Sequence, residues 1–431
     1  MKDTPRAEQV YELLVSDDDA RACKDIDENA CQVVPGNFLL LLIGQWLTKL
    51  SDTFSSAKLV LPWLLSSAGV PAFFSGLLVP IRESGSLLPQ LAIASVMRSY
   101  PVRKWFLVLG GVLQGVGLLA LAAAAATLTG SSAGWAIVAA LVVISLARGF
   151  SSVASKDVTG KTIPKPRRGS LNGISASAAG VATLGLGVAL LFNLSQADDW
   201  LIPLLIAAAA ATFLSSLVFA RVQEYEGATS GGANGFKAAL DSAGILITDA
   251  DFRRFITVRA LMMSSGLCAP FFILLAQQAQ DSRGILSLGM FIVVSGLASL
   301  CSGFIWGRLS DLSSRTVMQI TAAATAAICA VAAVVSEHPS LSVYLLLGLY
   351  FLLSVIHEGV RVGRKTYVLD MAGGQKRTDY VSVGNTLIGV LLLITGVLSA
   401  GVAHLSLTWV LTGFALMSGA GFLLSFRLRP V

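Results

Sequence analysis

Between Leu39 and Met97 the chain runs through two membrane-length apolar stretches, and each carries opposite charges near its middle. Lys49 and Asp52 lie about halfway along the first, Arg82 and Glu83 about halfway along the second. A charge at the centre of a bilayer costs roughly 2.5–3.5 kcal/mol on insertion scales, so such residues turn toward protein or water and find partners. Two readings are open: ion pairs that hold helices in place, or the lining of a polar site at the midplane. Lys49 and Asp52 are three apart and share one helical face, so they can pair with each other. Arg82 and Glu83 are adjacent and diverge by about 100°, so they cannot both face one partner. One of them must reach another helix.

The same pattern recurs further on. Arg148 lies in a fourth apolar segment, Arg259 in a seventh, and His357, Glu358 and Arg361 in a tenth. Glu358 and Arg361 are three apart, His357 and Arg361 four apart, so all can meet along one helix. His357 is the one histidine of three inside an apolar segment; His338 and His404 fall near segment ends. It is either a site residue or a satisfied helix-end histidine. Arg148 with Glu358 reads as a functional or gating pair.

These charges need long helices to position them. The chain has 431 residues, is 55% hydrophobic and 13% charged, and has a mean hydropathy of +0.74. A typical soluble domain is about 25% charged. Apolar segments long enough for a transmembrane helix recur along nearly the whole length, and the weak alternating segments of a barrel are missing. The expectation is an all-α integral membrane protein with twelve transmembrane helices. They fall near 38–60, 70–97, 103–127, 132–157, 168–194, 199–221, 252–278, 284–308, 315–336, 340–366, 377–403 and 406–427.

Lys and Arg set the orientation. One set of connections holds Arg98, Arg103, Lys104, Lys156, Lys161, Lys165, Arg167, Arg168, Arg221, Lys237, Arg253, Arg254, Arg308, Arg315, Arg364, Lys365, Lys376, Arg377, Arg427 and Arg429. The opposite set is nearly free of them, with Arg283 and Lys58 assigned near that side. Both termini are then cytoplasmic in an inner or plasma membrane. The net charge of +6 follows this topology and does not indicate nucleic acid. Residues 1–36 form an acidic leader, with Ser16 and Asp17–Asp19 opening a short surface helix to about Ala30. Residues 222–250 form a linker, in which a glycine-rich piece precedes an amphipathic helix over 236–247. Between them, 37–221 and 251–431 are two six-helix bundles.

Enzyme motifs are missing. TGKT at Thr159–Thr162 lacks the earlier P-loop glycine and a strand–loop–helix context. Cys268, Cys301 and Cys329 fall inside apolar segments as packing residues. Cys23 and Cys31 match no zinc spacing, and a cytoplasmic leader disfavours a disulfide there. No cofactor and no metal are expected. Gly111, Gly115 and Gly117 have close-packing spacing. Pro80 and Pro89 are expected to kink the second span.

The halves echo each other weakly. Arg148-Gly149 lines up with Glu358-Gly359, and Arg167-Arg168 with Lys376-Arg377, each pair flanking a basic loop between two helices. Repeats of this kind suit secondary transporters. The segment GRLSDLSSR, Gly307 to Arg315, resembles the helix 8–9 loop of the major facilitator superfamily. The resemblance implies that Gly307 permits close packing, that Asp311 caps or pairs across the bundle interface, and that Arg315 is its basic partner. The first-half loop, SVMRSYPVRK, keeps Arg98, Arg103 and Lys104 but lacks the aspartate.

The resemblance implies two pseudo-symmetric bundles and secondary active transport of a small polar or charged solute by alternating access, with the first helix lining the central cavity. Lys49, Arg82 and Arg148 would supply positive charge for the solute. Asp52, Glu83 or Glu358 would carry a coupling proton. The partners expected are that solute, protons and the bilayer, around a monomer. Two rivals stay open: a lipid or lysolipid translocase on the same fold, and a non-transporting sensor or scaffold.

Overall fold

A computed structural model describes residues 28–192, 200–226, 244–278, 287–337, 343–371 and 376–430. A short α1 (Glu28–Gln32) precedes α2 (Val34–Phe54) and α3 (Val60–Ser67), which share the first apolar segment. The second segment holds α4 (Ala72–Leu87) and α5 (Gln90–Arg98). Then come α6 (Lys104–Thr127), α7 (Gly130–Thr162), α8 (Lys165–Leu191) and α9 (Leu201–Ala220). After the linker, α10 (Ile245–Thr248) leads into α11 (Ala250–Leu261), α12 (Ser264–Leu267) and α13 (Ala269–Gln278). The chain ends with α14 (Leu288–Leu312), α15 (Ser314–Glu337), α16 (Val343–Met371), α17 (Lys376–Leu405) and α18 (Leu407–Ser425). Most of the expected leader helix and of the amphipathic helix lies outside the described residues.

Among the described residues, nine helical stretches are long and apolar enough to cross a membrane. The first, second and eighth expected spans are not among them. The first two are broken, and the apolar part of α14 stops at Ser302.

Proline chemistry accounts for the breaks. A proline lacks the N–H that bonds the carbonyl four residues back, and its ring crowds that carbonyl. Pro62 therefore frees the carbonyl of Lys58, in the gap between α2 and α3. Pro270 likewise frees that of Gly266, where α11, α12 and α13 are separated by short interruptions. Pro89 sits in the gap between α4 and α5. Pro80 stays inside its helix and packs against Gly396, where an added Cβ would lie 2.0 Å from the proline ring. At the start of α2, Pro35 occupies the first turn, where its missing N–H costs nothing.

Within the first half, α6 packs on α7 and α9, α9 on α2, and α4 on α7. Within the second, α15 packs on α16 and α18, and α14 on α16. The halves meet where α4 runs along α17 and α8 along α14. Both pairs are antiparallel. Gly76 faces Ala400 while Leu88 faces Gly389, and Gly187 faces Gly289 while Gly180 faces Leu300. This brings the basic connections of both halves to one end. The aligned glycines of the internal repeat do matching work: Gly149 admits Pro89 and Ile93, and Gly359 admits Trp306. Trp105, Trp135, Trp200, Trp409 and Tyr344 are exposed near helix ends, as an interfacial aromatic belt requires. Cys31 is disulfide-bonded, against the expectation of a reduced leader, while Cys268, Cys301 and Cys329 are free.

Candidate functional site

Asp52 sits in the last turn of α2, where one carboxylate oxygen, Oδ1, accepts from two guanidiniums. Arg82 of α4 donates through Nη2 at 2.5 Å, and Arg148 of α7 donates through Nη1. The triad joins three helices of the first half. Asp52 does not pair with Lys49, as the spacing had allowed. Lys49 turns the other way, donating to Ser175 Oγ at 2.8 Å and the Asn172 carbonyl at 3.4 Å on α8. Two arginines offer more hydrogen bonds and charge to Asp52 than one flexible lysine can. The expected Arg148–Glu358 pair is likewise replaced. Arg148 is held by Asp52, and Glu358 accepts from Arg361 one turn along α16 at 2.8 Å.

Glu83, next to Arg82, faces a cavity of about 420 Å³ between the halves. Lys58, Arg148, Arg259, Arg361 and Arg364 also line it. Among the described residues the Glu83 carboxylate accepts no hydrogen bond and makes no ion pair; the charges around it are Lys58, Arg148, Arg364 and Arg82. Arg259 of α11 is buried, with Nη2 on Asn385 Oδ1 of α17 at 2.8 Å and, among the described residues, no partner for Nε.

Lys58 joins the halves. Its Nζ lies 2.8 Å from His357 Nε2 on α16, and His357 Nδ1 lies 3.1 Å from Ser265 Oγ on α12. An ammonium has only donors, so with Lys58 charged Nε2 accepts and Nδ1 carries the proton toward Ser265. Gly266 lets the imidazole approach; an added Cβ there would lie 2.9 Å from His357 Cε1. The proline breaks thus fall at Lys58 and Gly266, where backbone freed from a helix lines the cavity. A second cavity of about 170 Å³ adjoins the first, sharing Lys58, Ser265 and His357.

Over residues 41–336 the sequence matches the profile of the Major Facilitator Superfamily. The chain belongs to that superfamily. Its members are secondary transporters, not enzymes. The solved structures it resembles have the same fold at low identity. A mutant of the nucleoside transporter NupG superposes with a TM-score of 0.70 at 14% identity, covering 91% of this chain and 99% of that one. A POT family transporter in complex with 5-aminolevulinic acid gives 0.69 at 11% identity, covering 91% and 95%. A mutant peptide transporter POT in complex with sulfate gives 0.67 at 14%, covering 91% and 93%. No curated protein matches the chain by sequence.

Within this superfamily fold, two cavity cations escaped the sequence reading. Lys58 lines the cavity rather than the lysine-poor side, because the first span is broken before Pro62 instead of running on unbroken. Arg364 was counted only as a loop charge of the basic side. The loop residues behave differently. Gly307 and Asp311 lie in the last turns of α14, and the side chain of Asp311 is outside the described residues. Arg315 donates to the Phe426 carbonyl at 2.8 Å, at the end of α18.

Proposed function

We propose that the chain is a twelve-span, two-bundle carrier that moves a small organic anion by alternating access, coupled to protons. The bundles are 37–221 and 251–431, joined by the 222–250 linker and preceded by the 1–36 leader. The basic connections face the cytoplasm of an inner or plasma membrane, and the carrier works as a monomer. One observation carries the reading: five cations line the larger cavity against a single unpaired carboxylate, Glu83. Such a surface attracts an anion and focuses its approach. Arginine forks are suited to carboxylate or phosphate. The volume is within the usual range for small-ligand sites.

Glu83 is the proposed proton carrier. It faces the cavity without a direct partner, whereas Asp52 is tied to two arginines. Protonating Asp52 would leave two guanidiniums confronting each other; protonating Glu83 breaks no contact. The close glycine contacts Gly76–Ala400 and Gly187–Gly289 sit at the end away from the basic connections. At the other end, Gly173 of α8 has nothing within 4 Å of an added Cβ. That arrangement supports a state closed outward and open inward.

Proteoliposomes loaded with a labelled monocarboxylate, dicarboxylate or phosphate monoester test this. Wild type should concentrate at least one of them under an imposed proton gradient. Glu83→Gln should still exchange that anion across the membrane but fail to concentrate it. Accumulation of none of these anions would overturn the anion assignment, and undiminished accumulation by Glu83→Gln would overturn the proton role.

A further inference from the structure

The smaller cavity has a different chemistry from the larger one. Its walls carry the hydroxyls of Ser56, Ser295, Ser299, Ser354 and Tyr350 and the Glu358 carboxylate, which disfavours an anion there. Ser295 and Ser299 are one turn apart on α14, so their hydroxyls share one face. Neither hydroxyl makes a hydrogen bond with another described residue. Each offers one donor and two acceptor lone pairs. Other helix hydroxyls bond the carbonyl four residues back, as at Thr212, Thr321 and Thr325. The two serines, Ser295 half-buried and Ser299 exposed, thus present open hydroxyls to the smaller cavity.

We infer that the binding site is bipartite and that its substrate carries an anionic head and a hydroxyl-bearing, uncharged body, as in a phosphorylated or carboxylated sugar or polyol. The inference rests on the anion reading of the larger cavity. Arg148, Arg259 and Arg364 hold the head. The body enters the smaller cavity, where its hydroxyls meet Ser295, Ser299 and Ser354. Lys58 and His357 stand at the junction and face both compartments. Their bond spans the two halves, and an anion drawing Lys58 away from His357 loosens one tie between them. An alkyl chain of equal length fills the same space but leaves the serines dry and unpaired, at a cost of about one neutral hydrogen bond each.

Binding to purified protein in lipid nanodiscs tests this with four probes: a hexose phosphate, hexyl phosphate, inorganic phosphate and the free hexose. The hexose phosphate should bind about tenfold more tightly than hexyl phosphate, the equivalent of one to two neutral hydrogen bonds. The corresponding hexonate, compared with hexanoate, shows whether a carboxylate head gives the same preference. In the double variant Ser295→Ala, Ser299→Ala the hexose phosphate should fall to the level of hexyl phosphate. Equal binding of the sugar and alkyl compounds, with both head groups, would overturn the bipartite site while leaving the anion reading intact. Binding of the free hexose alone, or of none of the anions, would overturn the anion reading itself. Should the double variant not fold, the wild-type ratios decide.

Discussion

Two clusters of charge, one at the basic end of the first half and one in the central cavity, are built from the same residue types and differ in how far they are satisfied. At the basic end, the Glu224 side chain is fully buried. Its carboxylate accepts from the backbone N–H groups of Arg103 and Lys104 at 2.6–3.1 Å, and from Lys161 Nζ at 2.9 Å. It closes the N-terminus of α6, where free N–H groups and the helix dipole favour an anion. Asp157 takes Arg103 at 2.7 Å, and Lys104 Nζ reaches the Ala220 and Val222 carbonyls after α9. The acid absent from the SVMRSYPVRK loop is thus supplied by residues distant in sequence. At this end Asp157 Oδ2 lacks a hydrogen bond but keeps Lys161 at 3.6 Å, whereas in the cavity, among the described residues, Glu83 has no direct partner and Arg259 Nε is buried and unpaired. A charge network that satisfies itself fixes structure. One that leaves groups open in a cavity is available to a ligand.

The comparison breaks most sharply at Glu224. Replacing it with alanine leaves two backbone donors unpaired in a buried place and Lys161 with only the Pro101 carbonyl and Asp157. Removing one partner of a buried pair costs about 3–5 kcal/mol. Glu224→Ala should lower the thermal midpoint in detergent and the yield of folded protein, while the surviving folded molecules transport at the wild-type rate per molecule. Full stability with lost transport would move this cluster into the functional class.

Asp52 lies between the two classes, since its carboxylate is satisfied and one of its arginines, Arg148, lines the cavity. Asp52→Asn keeps an acceptor but loses the charge, and a charged hydrogen bond contributes about 1.5–3 kcal/mol. Stability should fall by that order. Combining Asp52→Leu with Arg82→Met removes one buried charge of each sign and should restore the melting temperature. If the triad is only a brace, the double variant transports normally. If Arg148 must be held by Asp52 to face the solute, it folds but binds the anion more weakly.

Most of the cavity charges were legible because an apolar segment isolates whatever charge it carries: Asp52, Arg82, Glu83, Arg148, Arg259, His357, Glu358 and Arg361 all stood out. The pairing among them was not. Spacing along one helix suggested Lys49 with Asp52, but three helices converge on Asp52, and only packing decides which arginines arrive. Lys58 was hidden by an unbroken span that Pro62 forbids. Glu224 was hidden because its partners lie 63 to 121 residues away in sequence. Ser295 and Ser299 looked like the small residues that helix packing uses throughout. The helical class followed from hydropathy; of the three breaks only the one at Pro89 was expected, while those at Pro62 and Pro270 were not, and Pro80, expected to kink the second span, stays inside α4.

The smallest expected effect concerns Arg315. It is at the start of α15, away from the cavity, and donates to the Phe426 carbonyl at the end of α18. A cation at a helix C-terminus contributes about 0.3–1 kcal/mol at exposed positions. Arg315→Ala should therefore barely change the melting temperature. The bond nevertheless ties α15 to the end of α18, on the basic end where the two halves would separate and close in the proposed alternating cycle. Slower turnover with unchanged anion affinity is the expected signature, measured as uptake rate against equilibrium binding in the same preparation. Arg315→Lys keeps the charge and a donor, and should recover most of the rate. A variant with normal turnover and weakened affinity would show instead that this end communicates with the cavity, and the division between bracing and binding charges would have to be redrawn to include it.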